Sequence, residues 1–107
     1  MLAAAAPAGA DRAPTKTERN AVARAAGLRA DCAAVRISTV RHRYKWAAVH
    51  TRDRCLERGT RSLTRIFRRK RERGAPWRLR WSLPGCDLYD RVPQRVADDL
   101  GIACFDG

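Results

Sequence analysis

Long apolar runs are missing from this chain. No stretch reaches the ~18 apolar residues that a membrane-spanning helix needs, so no such helix is expected. Core candidates are few: three Trp, two Phe, two Tyr and scattered Val, Ile and Leu among 107 residues. Much of the 45% hydrophobic content is Ala, which buries little area and leaves a thin core for one small domain. A covalent staple would help such a core. No Cys-x-x-Cys pair and no His at finger spacing are present, which argues against a zinc site. Asp87, Asp90, Asp98 and Asp99 are not spaced as a calcium loop and read as solvated charge. There is no Gly-rich phosphate loop. His42 and His50 are the only histidines, one in a connection and one at a strand end. A catalytic dyad would need a nucleophile or carboxylate held against one of them. Ser38, Ser62, Asp53 and Asp90 are available, and no spacing selects among them. The chain is therefore read as non-enzymatic, with no cofactor.

Negative charge is also scarce where positive charge is dense. Residues 36–81 hold sixteen of the 23 basic residues and three of the 11 acidic ones. The formal net charge is +12, and a field of that size draws polyanions: nucleic acid, anionic lipid or anionic wall polymers. Only Lys16, Lys45 and Lys70 are lysines; the rest is Arg. Arg beside abundant Ala is also what a GC-rich genome encodes by default, so drift is the competing account.

Cys32, Cys55, Cys86 and Cys104 lie 23, 31 and 18 positions apart. An even count in a short chain fits two disulfides, with three connectivities open. Export would be the condition for oxidation; four buried thiols in a cytosolic protein is the alternative.

The clearest pattern runs from Leu63 to Leu83. Trp77, Leu79, Trp81 and Leu83 alternate with Arg78, Arg80 and Ser82, the period of a half-buried strand. Thr64 to Lys70 is a second strand, and Arg73-Gly74-Ala75-Pro76 is the turn between them. The two Trp fall opposite the Arg, so they are read as core rather than as base-stacking residues. Arg65, Arg68, Arg78 and Arg80 are then the candidate polyanion-binding residues on the outer face.

Upstream, Ala8-Gly9-Ala10 before Asp11-Arg12 reads as the tail of a secretory signal peptide. The basic n-region is missing, as a start codon assigned too far downstream would leave it; a disordered Ala/Pro leader is the alternative. Residues 1–14 are set aside as leader and 15–107 read as one domain. Thr15-Lys16-Thr17-Glu18 is a capping box, opening a helix from Lys16 to Ala26 that stops at Gly27. Val35, Ile37 and Thr39 alternate with Arg36 and Ser38 as a strand, and Arg41-His42-Arg43 is a polar connection. Tyr44 to His50 is apolar on both faces and should be central. Thr51 to Ser62 is a charged loop. Val92 to Gly101 reads as a second helix, with Pro93 at its first position and Val92, Val96 and Leu100 as one stripe. Two Asp near its end oppose the dipole and should keep it short.

These features resemble a group of small exported proteins of GC-rich, actinobacteria-like bacteria that have no assigned activity. The resemblance rests on Arg36-Ile37-Ser38, Lys45-Trp46-Ala47, the basic hairpin with Trp77, and Cys86. It continues through Val92-Pro93, Val96, and Asp99-Leu100-Gly101-Ile102 running into Cys104. It covers about two thirds of the chain, and the Arg-rich loop between Cys55 and Leu63 departs from it. The resemblance implies export and a Cys86–Cys104 disulfide, leaving Cys32 and Cys55 as the second pair.

The expected fold is α+β: an N-terminal helix, a four-stranded antiparallel meander sheet and a short C-terminal helix. The expected function is a small exported, non-enzymatic domain whose basic sheet face contacts anionic envelope polymers or a membrane surface. Its place is extracellular or in the cell envelope if a signal peptide precedes it, and otherwise cytoplasmic. The alternative is a cytoplasmic, basic nucleic-acid-binding protein.

Overall fold

Thr15 opens the first helix as a capping box requires. In the computed structural model, which describes residues 12–60, 64–82 and 92–101, Thr15 Oγ1 accepts the Glu18 amide at 3.2 Å. Glu18 Oε1 accepts the Thr15 amide at 2.9 Å. Helix α1 (Lys16–Ala25) follows. It ends one residue before the expected Ala26, and Gly27 takes the left-handed conformation (φ 70°) that a Cβ would oppose.

Four antiparallel strands form one sheet in chain order: β1 (Ala33–Ile37), β2 (Tyr44–Thr51), β3 (Arg65–Lys70) and β4 (Arg78–Ser82). Helix α2 (Gln94–Asp99) completes the α+β meander that the sequence pattern predicts. Pro93 stands at the N-cap of α2, not at its first helical position, because its ψ of 135° is extended. Its carbonyl accepts the Val96 and Ala97 amides. The expected Cys86–Cys104 pair, Leu83, Ser62, Asp87, Asp90 and the leader up to Asp11 lie outside the described residues. Arg12, assigned to the leader by sequence, instead exchanges both backbone hydrogen bonds with Ile37 and extends the sheet at β1.

The sheet is covered on both faces, which the one-sided hairpin pattern did not predict. On one face α1 packs Val22 and Ala23 against Val35, Ile37, Ala47, Val49, Phe67 and Trp77. On the other, α2 packs Val92, Val96, Ala97 and Leu100 against Trp46, Ala48 and Ile66. Such layers bury the apolar stripe of each helix on one face of the sheet. Consecutive residues of β2 are therefore all buried from Trp46 to Val49.

The β3/β4 register breaks between Ile66 and Phe67: Ile66 pairs with Trp81 and Phe67 with Leu79, leaving Arg80 as the extra residue. This bulge interrupts the alternation that reads as one continuous face. Trp77 is buried as expected, but Leu79 is 51% exposed and not core. β4 is an edge strand, while α1 packs on β1 and β2 and leaves Leu79 uncovered. Trp81's side chain is outside the described set.

Asp99 is not solvated charge. It is 3% exposed; it accepts Ser38 Oγ–H at 2.7 Å and also the Thr39 amide. The carboxylate thus ties α2 to the loop joining β1 and β2, satisfying a charge that would otherwise be costly to bury.

Glu18 is a second charged anchor. Arg12 donates to both of its oxygens at 2.7 Å, and Lys45 of β2 donates at 3.0 Å. The Arg12 guanidinium chiefly, with the Thr15 amide and Lys45, holds this carboxyl well below the usual carboxylate range against the opposing effect of burial. A carboxyl with a lowered folded-state pKa binds protons more readily when unfolded, so its stabilisation is complete above about pH 5 and drains away as pH falls. Glu18→Gln should cost about 2 kcal/mol at pH 7. Its urea midpoint should also fall less than the wild type's between pH 5 and pH 2. Parallel declines for the two proteins would show that this cluster carries no acid sensitivity.

Candidate polyanion-binding site

Cross-strand register decides which arginines share a face. Trp46 pairs with Arg68 and Tyr44 with Lys70, so Arg68 and Lys70 project on the α2 side with the tryptophan. Arg68 in turn pairs with Arg78. Arg65 pairs with Val49 and lies on the α1 side, where its Nη1 donates to the Ala26 carbonyl at 2.9 Å. A guanidinium there meets the carbonyl end of α1, a favourable place for a cation. The structure therefore brings Arg68 and Arg78 together, sets Arg65 on the opposite face, and leaves Arg80 exposed at the bulge.

The site grows from this pair. The Arg68 guanidinium lies 4.0 Å from the Tyr44 ring centroid and 5.7 Å from that of Trp46, and Arg43 lies 5.5 Å from Tyr44. These are cation–π distances. His42, Tyr44 and Trp46 form a short aromatic ladder: His42 stacks on Tyr44 at 5.9 Å and Tyr44 meets Trp46 edge-on at 6.3 Å. Beside it lies a cleft of about 270 Å³ lined by Tyr44, Arg68, Lys70 and Arg78, with Ala75 and Pro76 from the hairpin turn. Arg69 and Glu72 also line it, and Glu72 makes no ion pair with the cations among the described residues.

The connection between β1 and β2 is tied by hydrogen bonds at both ends. Asp99 grips Ser38 and Thr39, and Ser38 Oγ accepts the Val40 amide at 3.2 Å. At the other end, His42 Nδ1 accepts both the Tyr44 amide and the Trp46 indole N–H, each at 3.2 Å. Arg71 Nε donates to the His42 carbonyl at 2.6 Å. Burial first, then Arg43, Arg71 and Arg68, lower the pKa of His42, keeping it neutral at pH 7.

At the opposite end of the sheet, Cys32 and Cys55 form a disulfide with Cα atoms 5.7 Å apart. It joins two 3-10 turns, Ala30–Cys32 and Asp53–Cys55. Arg52 N–H to the Cys32 carbonyl and Arg54 to the Asp31 carbonyl reinforce it.

The arginine and aromatic cluster was invisible in the linear sequence. Its rings come from β2 and from His42 just before it, and Arg43 is their neighbour in sequence, but Arg68 and Arg78 come from β3 and β4, and only the register joins these to the rings. The one sequence signal is the Arg41-His42-Arg43-Tyr44 run beside a strand start. Among the described residues no group of His, Cys, Asp and Glu could hold a metal ion. Comparison with protein-family models, with curated proteins and with solved structures finds no match to this chain.

Proposed function

We propose that this chain is a small exported, non-enzymatic domain that binds anionic polymers of the cell envelope through the basic end of its sheet. The observation that carries the binding half is the Arg68–Arg78 register pair. Like charges directly opposite each other are destabilising, and no described carboxylate neutralises these two. Lys70 and Arg43 add to the same field. An anion in the cleft relieves that repulsion. The Cys32–Cys55 disulfide supports the export half, because disulfides persist in oxidising compartments. The resemblance to small exported proteins points the same way.

Nucleic acid is the second reading, favoured by aromatic and cationic side chains sharing this face. Against it, the Tyr44 ring already carries Arg68 and is stacked by His42. Little ring surface is left for a base.

Binding to a long-chain polyphosphate, measured across salt concentrations, tests the proposal. Four cationic contacts give a log–log salt slope on the order of −3. Reversing Arg68 and Arg78 to Glu should flatten the slope by about 1.4. Reversing Arg52 and Arg58, in the loop beyond β2 at the disulfide end, should leave it unchanged. Equal affinity and slope in all three proteins would sink the proposal.

A further inference from the structure

We propose that the hollow lined by Arg41, His42, Arg43 and Arg71 seats one tetrahedral phosphate group of a linear phosphate polymer, with His42 Nε2–H among its donors. The inference rests on the polyanion reading above and names its chemistry. The hollow is an open depression of about 530 Å³, and among the described residues no carboxylate lines it.

The histidine fixes the donor pattern. Its Nδ1 accepts two N–H groups, from the Tyr44 backbone and from the buried Trp46 indole. A nitrogen that accepts cannot carry the proton, so the neutral ring holds it on Nε2. Ring geometry sends Nε2 away from the indole. His42 therefore offers a donor whose tautomer is set by the protein before any ligand arrives. Trp46 acts here as a positioning residue.

Arg71 supplies the second element. Its Nε is engaged with the His42 carbonyl at 2.6 Å, which holds the guanidinium beside the loop. No described acceptor takes its two Nη groups, so their donors remain available to a ligand. That planar fork matches two oxygens of a phosphate. Arg41 and Arg43 are exposed on either side of the histidine and complete the ring of cations. Three guanidiniums and an imidazole N–H offer more donors than a planar carboxylate can accept. They suit a group with oxygens in several directions.

The polymer is one without stacking bases. Tyr44, the nearest partly exposed ring, already carries Arg68 at 4.0 Å and His42 in a stacked arrangement. The charged and titratable groups around His42 are Arg41 and Arg43 from its own loop and Tyr44 from β2. Arg68 from β3 and Arg71 from the following turn complete the set. The net field is cationic and resists protonation of the ring. A phosphate placed among these groups offsets part of that field.

Histidine side-chain nitrogen–proton correlation spectra of the full chain, taken with a pH titration, test the seat. The free protein should show His42 protonated on Nε2. Inorganic phosphate, and then polyphosphate, should raise the titration midpoint of His42 by about one pH unit. Arg71→Gln should weaken that response roughly tenfold, the loss of one bidentate contact. Protonation on Nδ1 in the free protein overturns the proposal. So does polyphosphate binding that leaves His42 unmoved, though the broader polyanion reading would then survive. Failure of polyphosphate to bind at all overturns both. An oligonucleotide of equal phosphate content that binds more tightly than polyphosphate and shifts the Tyr44 ring signals overturns the choice of polymer.

Discussion

Replacing Cys32 and Cys55 together with Ala should lower the melting temperature by about 15 °C. The bond closes a segment of 23 positions. Restricting the unfolded chain over that span stabilises the fold by about 3 kcal/mol in the chain-entropy model. In a domain near this size each kcal/mol moves the melting temperature by roughly 4–8 °C. The loss is large beside the roughly 0.05–0.15 kcal/mol per residue that native proteins retain. It should also be local. The bond joins the start of β1 to the end of β2, so amide exchange should accelerate first at Ala33 and Thr51, which pair there. Calorimetry of the double variant, beside wild type with and without reductant, measures the effect. A drop under about 3 °C would mean that the Arg52 and Arg54 backbone contacts hold this end unaided.

Trp46→Ala should be at least as damaging, costing about 4 kcal/mol. Trp46 is 1% exposed and belongs to the same buried cluster as the α2 stripe of Val92, Val96 and Leu100. Truncation opens a cavity under a helix of six residues that has little stability of its own. It also removes the indole donor that holds His42. Trp77→Ala should cost less, about 3 kcal/mol, because Trp77 sits at the margin of the α1 layer beside the groove under the hairpin turn. Urea denaturation of the two variants gives the comparison. Trp77→Ala proving the more destabilising would place the main core under α1 alone.

Much of the architecture could be read from the chain. The capping box at Thr15 and Glu18 uses contacts three residues apart, so local sequence contains the whole device. Strand periodicity located β1 to β4 within a residue or two for the same reason. The apolar stripe of Val92, Val96 and Leu100 announced a helix but not the surface it meets. That surface includes Trp46 and Ile66, far off in the chain. Asp99 looked like a carboxylate misplaced at a helix end because its partner, Ser38, is 61 positions away. The faces of the hairpin were legible only while alternation held, and the bulge at Arg80 ends it. The odd spacing of Arg65 and Arg68 on one strand already sets them on opposite faces, against the reading that put both on the outer face, but which face each takes could not be told without the register of β3 against β2. The candidate site failed to show itself for that same reason: Tyr44 and Arg68 meet through strand pairing rather than through spacing.

The bulge has a consequence for the behaviour of many copies together. β4 is the last strand of the described sheet, and among the described residues nothing takes up the backbone N–H and C=O groups on its far side, the kind of edge that can template strand addition. A second copy laying its own β4 alongside would bring Arg78 and Arg80 against their counterparts. The extra residue also twists the strand out of the flat geometry that such addition needs. Charge and twist would both oppose that addition at low salt. A phosphate polymer that neutralises those arginines removes half of this protection and leaves the bulge as the remaining guard against edge-to-edge assembly.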